Sequence, residues 1–290
     1  MLLKCVTYCL YCLTACIHNE PQVTPQDTPQ ATAQRIADLD IIPLISRLWS
    51  FFSTNIMVLN SAVEFLSTFV VAHSAVSKKL LQPGNNKNCL LSQVLEVAEK
   101  SVLFTNHPIS PLRPLFFNFL SNISQYKDCT MFIWKSGFMS NFPSAEKCDK
   151  RDVLSLWLHL IAHMSYTTFG QLAVLNIPNI MNTMFQSSSP LLVLTILRSL
   201  ASNVKCHPKL LANKQFIDFV LKSVSLEKVK ETQVCLQVLE LCVSVSSKTR
   251  VEFRNKGAGQ VLGSLQLKLQ DNPQLGLNEL LGDVLRLYEG

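Results

Sequence analysis

The sequence predicts an all-α protein built by stacking similar helical units, and three observations carry that reading. First, four stretches resemble one another at a spacing of about 40 residues. They are Phe119-Leu120-Ser121-Asn122-Ile123-Ser124, Leu160-Ile161-Ala162-His163-Met164-Ser165, Ser199-Leu200-Ala201-Ser202-Asn203-Val204 and Leu241-Cys242-Val243-Ser244-Val245-Ser246. With Leu120, Ile161, Leu200 and Cys242 as equivalent positions, the steps are 41, 39 and 42 residues. Second, each copy is followed by a small polar turn and at once by an apolar helix start. These turns are Lys135-Ser136-Gly137-Phe138, Asn176-Ile177-Pro178, Ala212-Asn213-Lys214 and Asn255-Lys256-Gly257-Ala258. Third, nothing alternates apolar and polar residues as a half-exposed strand would, apart from an ambiguous piece at residues 243–245.

A period near 40 with a turn inside each unit is that of an armadillo/HEAT-like right-handed helical-repeat solenoid. Residues 1–18 form an N-terminal helix, 19–32 a flexible connection and 33–290 the repeat domain. The connection is expected from the polar, proline-punctuated run Glu20-Pro21-Gln22-Val23-Thr24-Pro25-Gln26-Asp27-Thr28-Pro29. Helices follow at residues 33–53, 57–81 and 90–105, the last after the turn Gln82-Pro83-Gly84-Asn85-Asn86. Leu66 reads as a further anchor 54 residues before Leu120, the extra length being an insertion of loop and helix between Gln82 and Pro111. Pro114 suits a first helical turn, where its missing N–H would be unpaired anyway. Residues 142–150 read as a surface loop, and Ser187-Ser188-Ser189-Pro190 marks a clean break. The last segment, residues 275–288, is amphipathic and acidic and reads as a polar cap. The first helix lacks such a face, so the N-terminal end is expected to pack against further chain or a partner.

Hydrophobic residues make up 48% of the 290 and charged residues only 16%, so one continuous core between stacked units is expected. No 18 consecutive apolar residues occur, because the most hydrophobic stretch, 56–76, contains Asn60, Glu64 and His73, and no membrane span is predicted. The ten cysteines fall mostly inside apolar helical patterns and suit a reducing, cytoplasmic compartment.

Residues 1–17 admit two further readings. A charged start and short apolar core resemble a secretory signal, and Leu13-Thr14-Ala15-Cys16 resembles a lipobox, which would make the protein exported or lipid-anchored. Tyr8, Tyr11 and the interspersed cysteines argue against a signal core. Cys5, Cys9, Cys12 and Cys16, spaced 4, 3 and 4, form one stripe on a helix and read as its buried face. They cannot share one zinc ion, because the stripe rises roughly 16 Å along the helix while thiolate ligands lie about 2.3 Å from the metal.

No catalytic, cofactor or metal site is predicted. His159 and His163 have the spacing of two zinc ligands on a helix, but Leu160 stands where the general base of an H-E-x-x-H site would be. Cys206-His207 are adjacent and point apart on a helix end. The sequon Asn122-Ile123-Ser124 falls within a repeat helix. Phosphate-binding glycine motifs are absent, and the chain is not read as an enzyme.

The net charge of +6 is unevenly placed. Residues 198–256 carry 11 basic and 5 acidic side chains, residues 1–197 carry 13 and 11, and residues 257–290 carry 2 and 4. Lys205, His207, Lys209 and Lys214 lie on one inter-helix connection, and Lys248, Arg250, Arg254 and Lys256 on the equivalent connection one repeat later. Stacking brings the two sets near one edge, which is expected to attract an acidic protein partner. Nucleic acid is disfavoured, because no aromatic residues interleave these lysines to stack on bases.

Finally, the segment Arg198-Ser199-Leu200-Ala201-Ser202-Asn203-Val204-Lys205-Cys206-His207-Pro208-Lys209-Leu210-Leu211-Ala212-Asn213-Lys214-Gln215-Phe216 resembles an armadillo unit of the rotatin family of large centriolar and ciliary proteins. Residues 235–265 are similar to the units that close such a protein. The resemblance implies a non-catalytic scaffold in centriole assembly and at the cilium basal body, located at the centrosome, with protein partners and further repeats of a longer chain. The chain lacks the Trp and Asn ladder repeated along successive last helices that nuclear import receptors of this fold carry.

Overall fold

The computed structural model describes residues 2–18, 29–83, 88–103, 107–139, 151–245, 247–271 and 275–289. Among these, every regular element is helical, and the one piece of extended pairing is an isolated bridge between Pro83 and Cys89. The chain divides into two compact units, Met1–His163 and Met164–Gly290.

The first unit holds α1 (Leu2–His18), α2 (Pro29–Asp38), α3 (Ile41–Phe52), α4 (Ile56–Ala72), α5 (Ala75–Leu80), α6 (Leu90–Leu103), α7 (Arg113–Ile123), α8 (Lys127–Lys135) and α9 (Arg151–Met164), whose last residue belongs to the second unit. The second holds α10 (Thr168–Val174), α11 (Ile180–Phe185), α12 (Pro190–Ala201), α13 (His207–Ala212), α14 (Gln215–Lys222), α15 (Val229–Val245), α16 (Ser247–Asn255), α17 (Ala258–Asp271) and α18 (Leu275–Glu289). In each unit one helix of every repeat packs on its counterpart in the next. α4 lies between α1 and α7, and α15 between α12 and α18. Four repeat anchors sit on these rungs, Leu66, Leu120 and Leu200 being fully buried and Cys242 2% exposed, while Ile161 is fully buried on α9. The four on the rungs are therefore structurally alike, each buried on a helix that packs against the next rung. Residues 243–245 lie in α15, with Val243 buried and Val245 exposed, so the ambiguous piece is helix.

The expected helix at 33–53 is two. The chain turns at Leu39-Asp40, where Asp40 takes φ 51 and ψ 38, a left-handed conformation that Asp tolerates better than most residues. Lys79 holds this turn, its Nζ donating to the Ala37 carbonyl at 2.7 Å and the Asp40 carboxylate at 2.9 Å. The expected helix at 57–81 also breaks, at His73, whose backbone is extended. α4 starts where Asn55 Oδ1 accepts from the N–H groups of Met57 and Val58, satisfying two donors that the first turn leaves open. α2 begins at Pro29, four residues before the expected start. Residues 19–28 and the expected loop at 142–150 lie outside the described residues. The turn glycines Gly137 and Gly257 both have φ 80, which glycine adopts at no steric cost.

Phenylalanines dominate both cores. In the first unit the Phe65 and Phe69 rings lie 5.1 Å apart, beside buried Phe116, Phe117 and Phe119. In the second, Phe216 meets Phe253 edge to face at 6.3 Å, and Phe185 stacks on Phe219 at 4.7 Å. Such pairs add about 0.5–1.5 kcal/mol each to the area they bury.

The cysteine stripe of α1 is a correction. Cys5, Cys9, Cys12 and Cys16 are exposed, not buried. α1 instead turns Leu10, Thr14 and Ile17 toward the interior, and packs on α4. Two stripes compete on that helix, and the one with the larger apolar side chains takes the seam because it removes more apolar area from water. At the other end α18 buries Leu277, Leu281 and Val284 and leaves Glu279 and Asp283 exposed.

Candidate functional site

The basic edge of the second unit is built by α13 and α16. A short 3-10 turn, Val204–Cys206, is capped by Asn203, whose Oδ1 accepts from the Lys205 N–H at 3.1 Å. Pro208 then occupies the first turn of α13. One repeat later, α16 is fixed by Thr249 and Phe253, both almost fully buried. Between the two helices lies a cleft of about 530 Å³, lined by Val204, His207, Pro208 and Leu211 on one wall and by Lys248 and Glu252 on the other. The two sequence-predicted connections thus do meet.

They do not contribute their charges equally. Lys248 lines the cleft and exposed Lys205 adjoins it, next to Val204. Exposed Lys214 stands at the start of α14, and no ion pair forms at Lys205, Lys214 or Lys248 among the described residues. Lys209 donates to the Asn176 side-chain carbonyl, and Lys256 pairs with Asp218 at 3.1 Å. Arg250 and Arg254 are drawn to the end of α18. Arg250 Nη1 lies 3.4 Å from the Leu287 carbonyl, while Arg254 donates to the Tyr288 carbonyl and sits 5.3 Å above the Tyr288 ring. Cations there complement the open carbonyls and negative end of the helix dipole. His207 is only 5% exposed, and its Nε2–H donates to the Ala201 carbonyl at 2.7 Å. It forms one wall of the cleft as a packed ring and secures α13 to the end of α12.

The same geometry bears on the neighbouring thiol. Cys206 is fully buried, and burial pushes its pKa up, with Lys209 opposing. Burial thus favours its protonated thiol over the nucleophilic thiolate. His163 lies in the first unit, half-buried, near exposed His159; burial first and His159 second hold its pKa below 6.5. Among the described residues no group of three or more His, Cys, Asp or Glu is placed to hold a metal ion.

A second surface in the first unit was not read from the sequence. Ser67 on α4 accepts from two asparagines one turn apart on α7, Asn118 Nδ2 at 3.3 Å and Asn122 Nδ2 at 2.9 Å. Beside them His18 and Thr68 share a hydrogen bond of 3.2 Å. These groups line a groove of about 420 Å³ across α1, α2, α4 and α7, with Val71 exposed along it. Asn118 also borders a cavity of about 210 Å³ that reaches His159 and His163. The result is a row of amide, hydroxyl and imidazole groups. The i, i+4 pair Asn118 and Asn122 was the signal available, but only packing shows that it faces Ser67 across a 51- and 55-residue separation.

The chain matches no protein-family model. It is similar to rotatin of Mus musculus, 23% identical over 211 residues, covering 66% of this chain and 9% of rotatin. The chain thus spans less than a tenth of the length of that relative. Among solved structures it is similar to a designed armadillo repeat protein in complex with the peptide (KR)4, at a TM-score of 0.68 and 13% identity over 85% of this chain and 99% of the other. A second designed armadillo repeat protein matches at 0.60 and 12% identity with the same coverage. An engineered protein covers 97% of this chain and 74% of its own, at 0.58 and 12% identity. At these identities the likeness is one of fold, and the fold is the all-α helical-repeat class of armadillo proteins.

Proposed function

We propose that the protein is a non-catalytic scaffold that binds protein segments, and that it acts, like rotatin, in centriole assembly and at the cilium basal body. The observation that carries the binding reading is the cleft between α13 and α16. It is a concave apolar wall of Val204, Pro208 and Leu211 with unpaired Lys205 and Lys248 at its rim. Such a surface takes a short acidic segment of a partner, whose apolar side chains enter the cleft while its carboxylates meet the lysines. The designed repeat protein that holds the basic peptide (KR)4 supports the use of this fold for peptides. The rotatin similarity supports the cellular role. Within this reading residues 1–18 are a first helix and the repeat domain, expected from residue 33, begins with α2 at Pro29.

Proximity labelling from a tag after Gly290 in ciliated cells tests the role, with enrichment of centriolar and basal-body proteins expected. Enrichment of secretory or envelope proteins instead would overturn it. The partner chemistry is tested by the triple substitution Lys205→Glu, Lys214→Glu and Lys248→Glu. It should weaken capture of an acidic neighbour by about tenfold or more and flatten its salt dependence. Unchanged capture would remove the basic edge from the reading.

A further inference from the structure

α1 has two unlike faces. Its inner face is held in the first unit by Leu10, Thr14 and Ile17, between 3% and 6% exposed, and by the hydrogen bond between His18 and Thr68. Its outer face carries four free, exposed thiols, Cys5, Cys9, Cys12 and Cys16. Tyr8 and Tyr11 beside them are 67% and 62% exposed. No Asp or Glu occurs from Leu2 to His18, and exposed Lys4 stands at the N-terminal end of the stripe. The face is thus nucleophilic, aromatic and free of carboxylates, on a helix whose other side is already fixed.

We propose that this stripe is a site of S-acylation, taking long-chain fatty acyl groups from acyl-coenzyme A thioesters and laying α1 along a membrane surface. A cysteine sulfur, as thiolate, adds to the thioester carbonyl carbon. The tetrahedral adduct then collapses, the new C–S bond remaining as the C–S bond to coenzyme A breaks. Coenzyme A leaves as a thiolate and takes up the proton the cysteine lost, and no redox change occurs. The spacing matters, because all four chains would leave one side of the helix in the same direction. A single acyl chain holds a protein to a bilayer only marginally, whereas two or more hold it stably. Tyr8 and Tyr11 would then lie at the headgroup level, where tyrosine is favoured, and Lys4 would face anionic lipid. Carboxylates, which such a surface would repel, are missing from the whole helix.

The test is metabolic labelling of the full chain with an alkynyl long-chain fatty acid in cells, beside the quadruple variant Cys5→Ser, Cys9→Ser, Cys12→Ser and Cys16→Ser. The expected result is hydroxylamine-labile label on the natural chain, reduced about tenfold or more in the variant, with the sedimenting membrane fraction falling in parallel. Because the four positions are exposed, the variant should keep the circular dichroism and thermal unfolding of the parent, which separates lost acylation from lost folding. Three results would overturn the proposal. They are absence of label on the natural chain where a control acylated protein is labelled, label that persists in the variant, and thiols found instead in a disulfide between two copies on a non-reducing gel.

Discussion

The substitution Gly170→Ala sets the packing of the α9–α10 turn against ordinary helix propensity. A Cβ built on Gly170 would lie 1.9 Å from the Met164 carbonyl oxygen and 2.7 Å from its carbon. That is 1.1 Å inside the 3.0 Å floor for such contacts, and the obstacle is backbone. The carbonyl cannot simply retreat, because it accepts from the Thr167 N–H at 3.3 Å and the Thr167 hydroxyl at 3.2 Å. Thr167 is in turn the cap of α10, its Oγ1 accepting from the Gly170 N–H at 3.0 Å. Relieving the clash therefore disturbs the cap, worth about 1 kcal/mol, on top of an overpacking cost of about 1–3 kcal/mol. Alanine returns up to about 1 kcal/mol through helix propensity, leaving a net loss of roughly 1–3 kcal/mol. Gly263, inside α17, has nothing within 4 Å of its Cβ position, so Gly263→Ala should stabilise by about 0.5–1 kcal/mol. Urea unfolding of the two variants beside the parent measures both. Equal signs for the two substitutions would refute the steric argument.

Other expectations follow from the same contacts. Leu200→Ala, at a fully buried anchor, should cost about 2.7–5 kcal/mol in chemical unfolding, far more than Lys214→Ala on the surface. For His163, whose folded pKa lies below its unfolded 6.5, the unfolded chain binds the proton more tightly; stability is full above pH 6.5 and falls as pH drops through the window below it. Denaturant midpoints against pH should show that decline, and His163→Gln should flatten it. Burial pushes Cys129, Cys235 and Cys242 up to about 12, so iodoacetamide at neutral pH should modify Cys5, Cys9, Cys12 and Cys16 in the native protein. The three buried thiols should react only after unfolding, as site-resolved mass spectrometry would read.

The repeat was legible because its signal is local and recurs. Each unit must bury one apolar seam, so Leu66, Leu120, Leu200 and Cys242 recur as buried residues on successive rungs, and Ile161 is buried likewise on α9. The turns were legible too, since Gly137 and Gly257 both need positive φ. Helix breaks at Asp40 and His73 were not, because an unbroken apolar periodicity runs through both and only tertiary partners such as Lys79 hold the chain bent. The basic residues were legible as a count of charge but not as a surface. Burial takes His207 out of it, Asp218 neutralises Lys256, and α18 draws off Arg250 and Arg254.

By itself, then, the sequence determined the helical class, the period and the seam-forming anchors, since these depend on hydrophobic spacing that stacking must satisfy. Tertiary structure alone decided which of two stripes on α1 faces water, which cations remain unpaired at the cleft, and that Ser67, Asn118 and Asn122 form one polar row. Those outcomes turn on competition between side chains far apart in the chain, where the larger buried area or the better-placed charge wins, and periodicity carries no record of that contest.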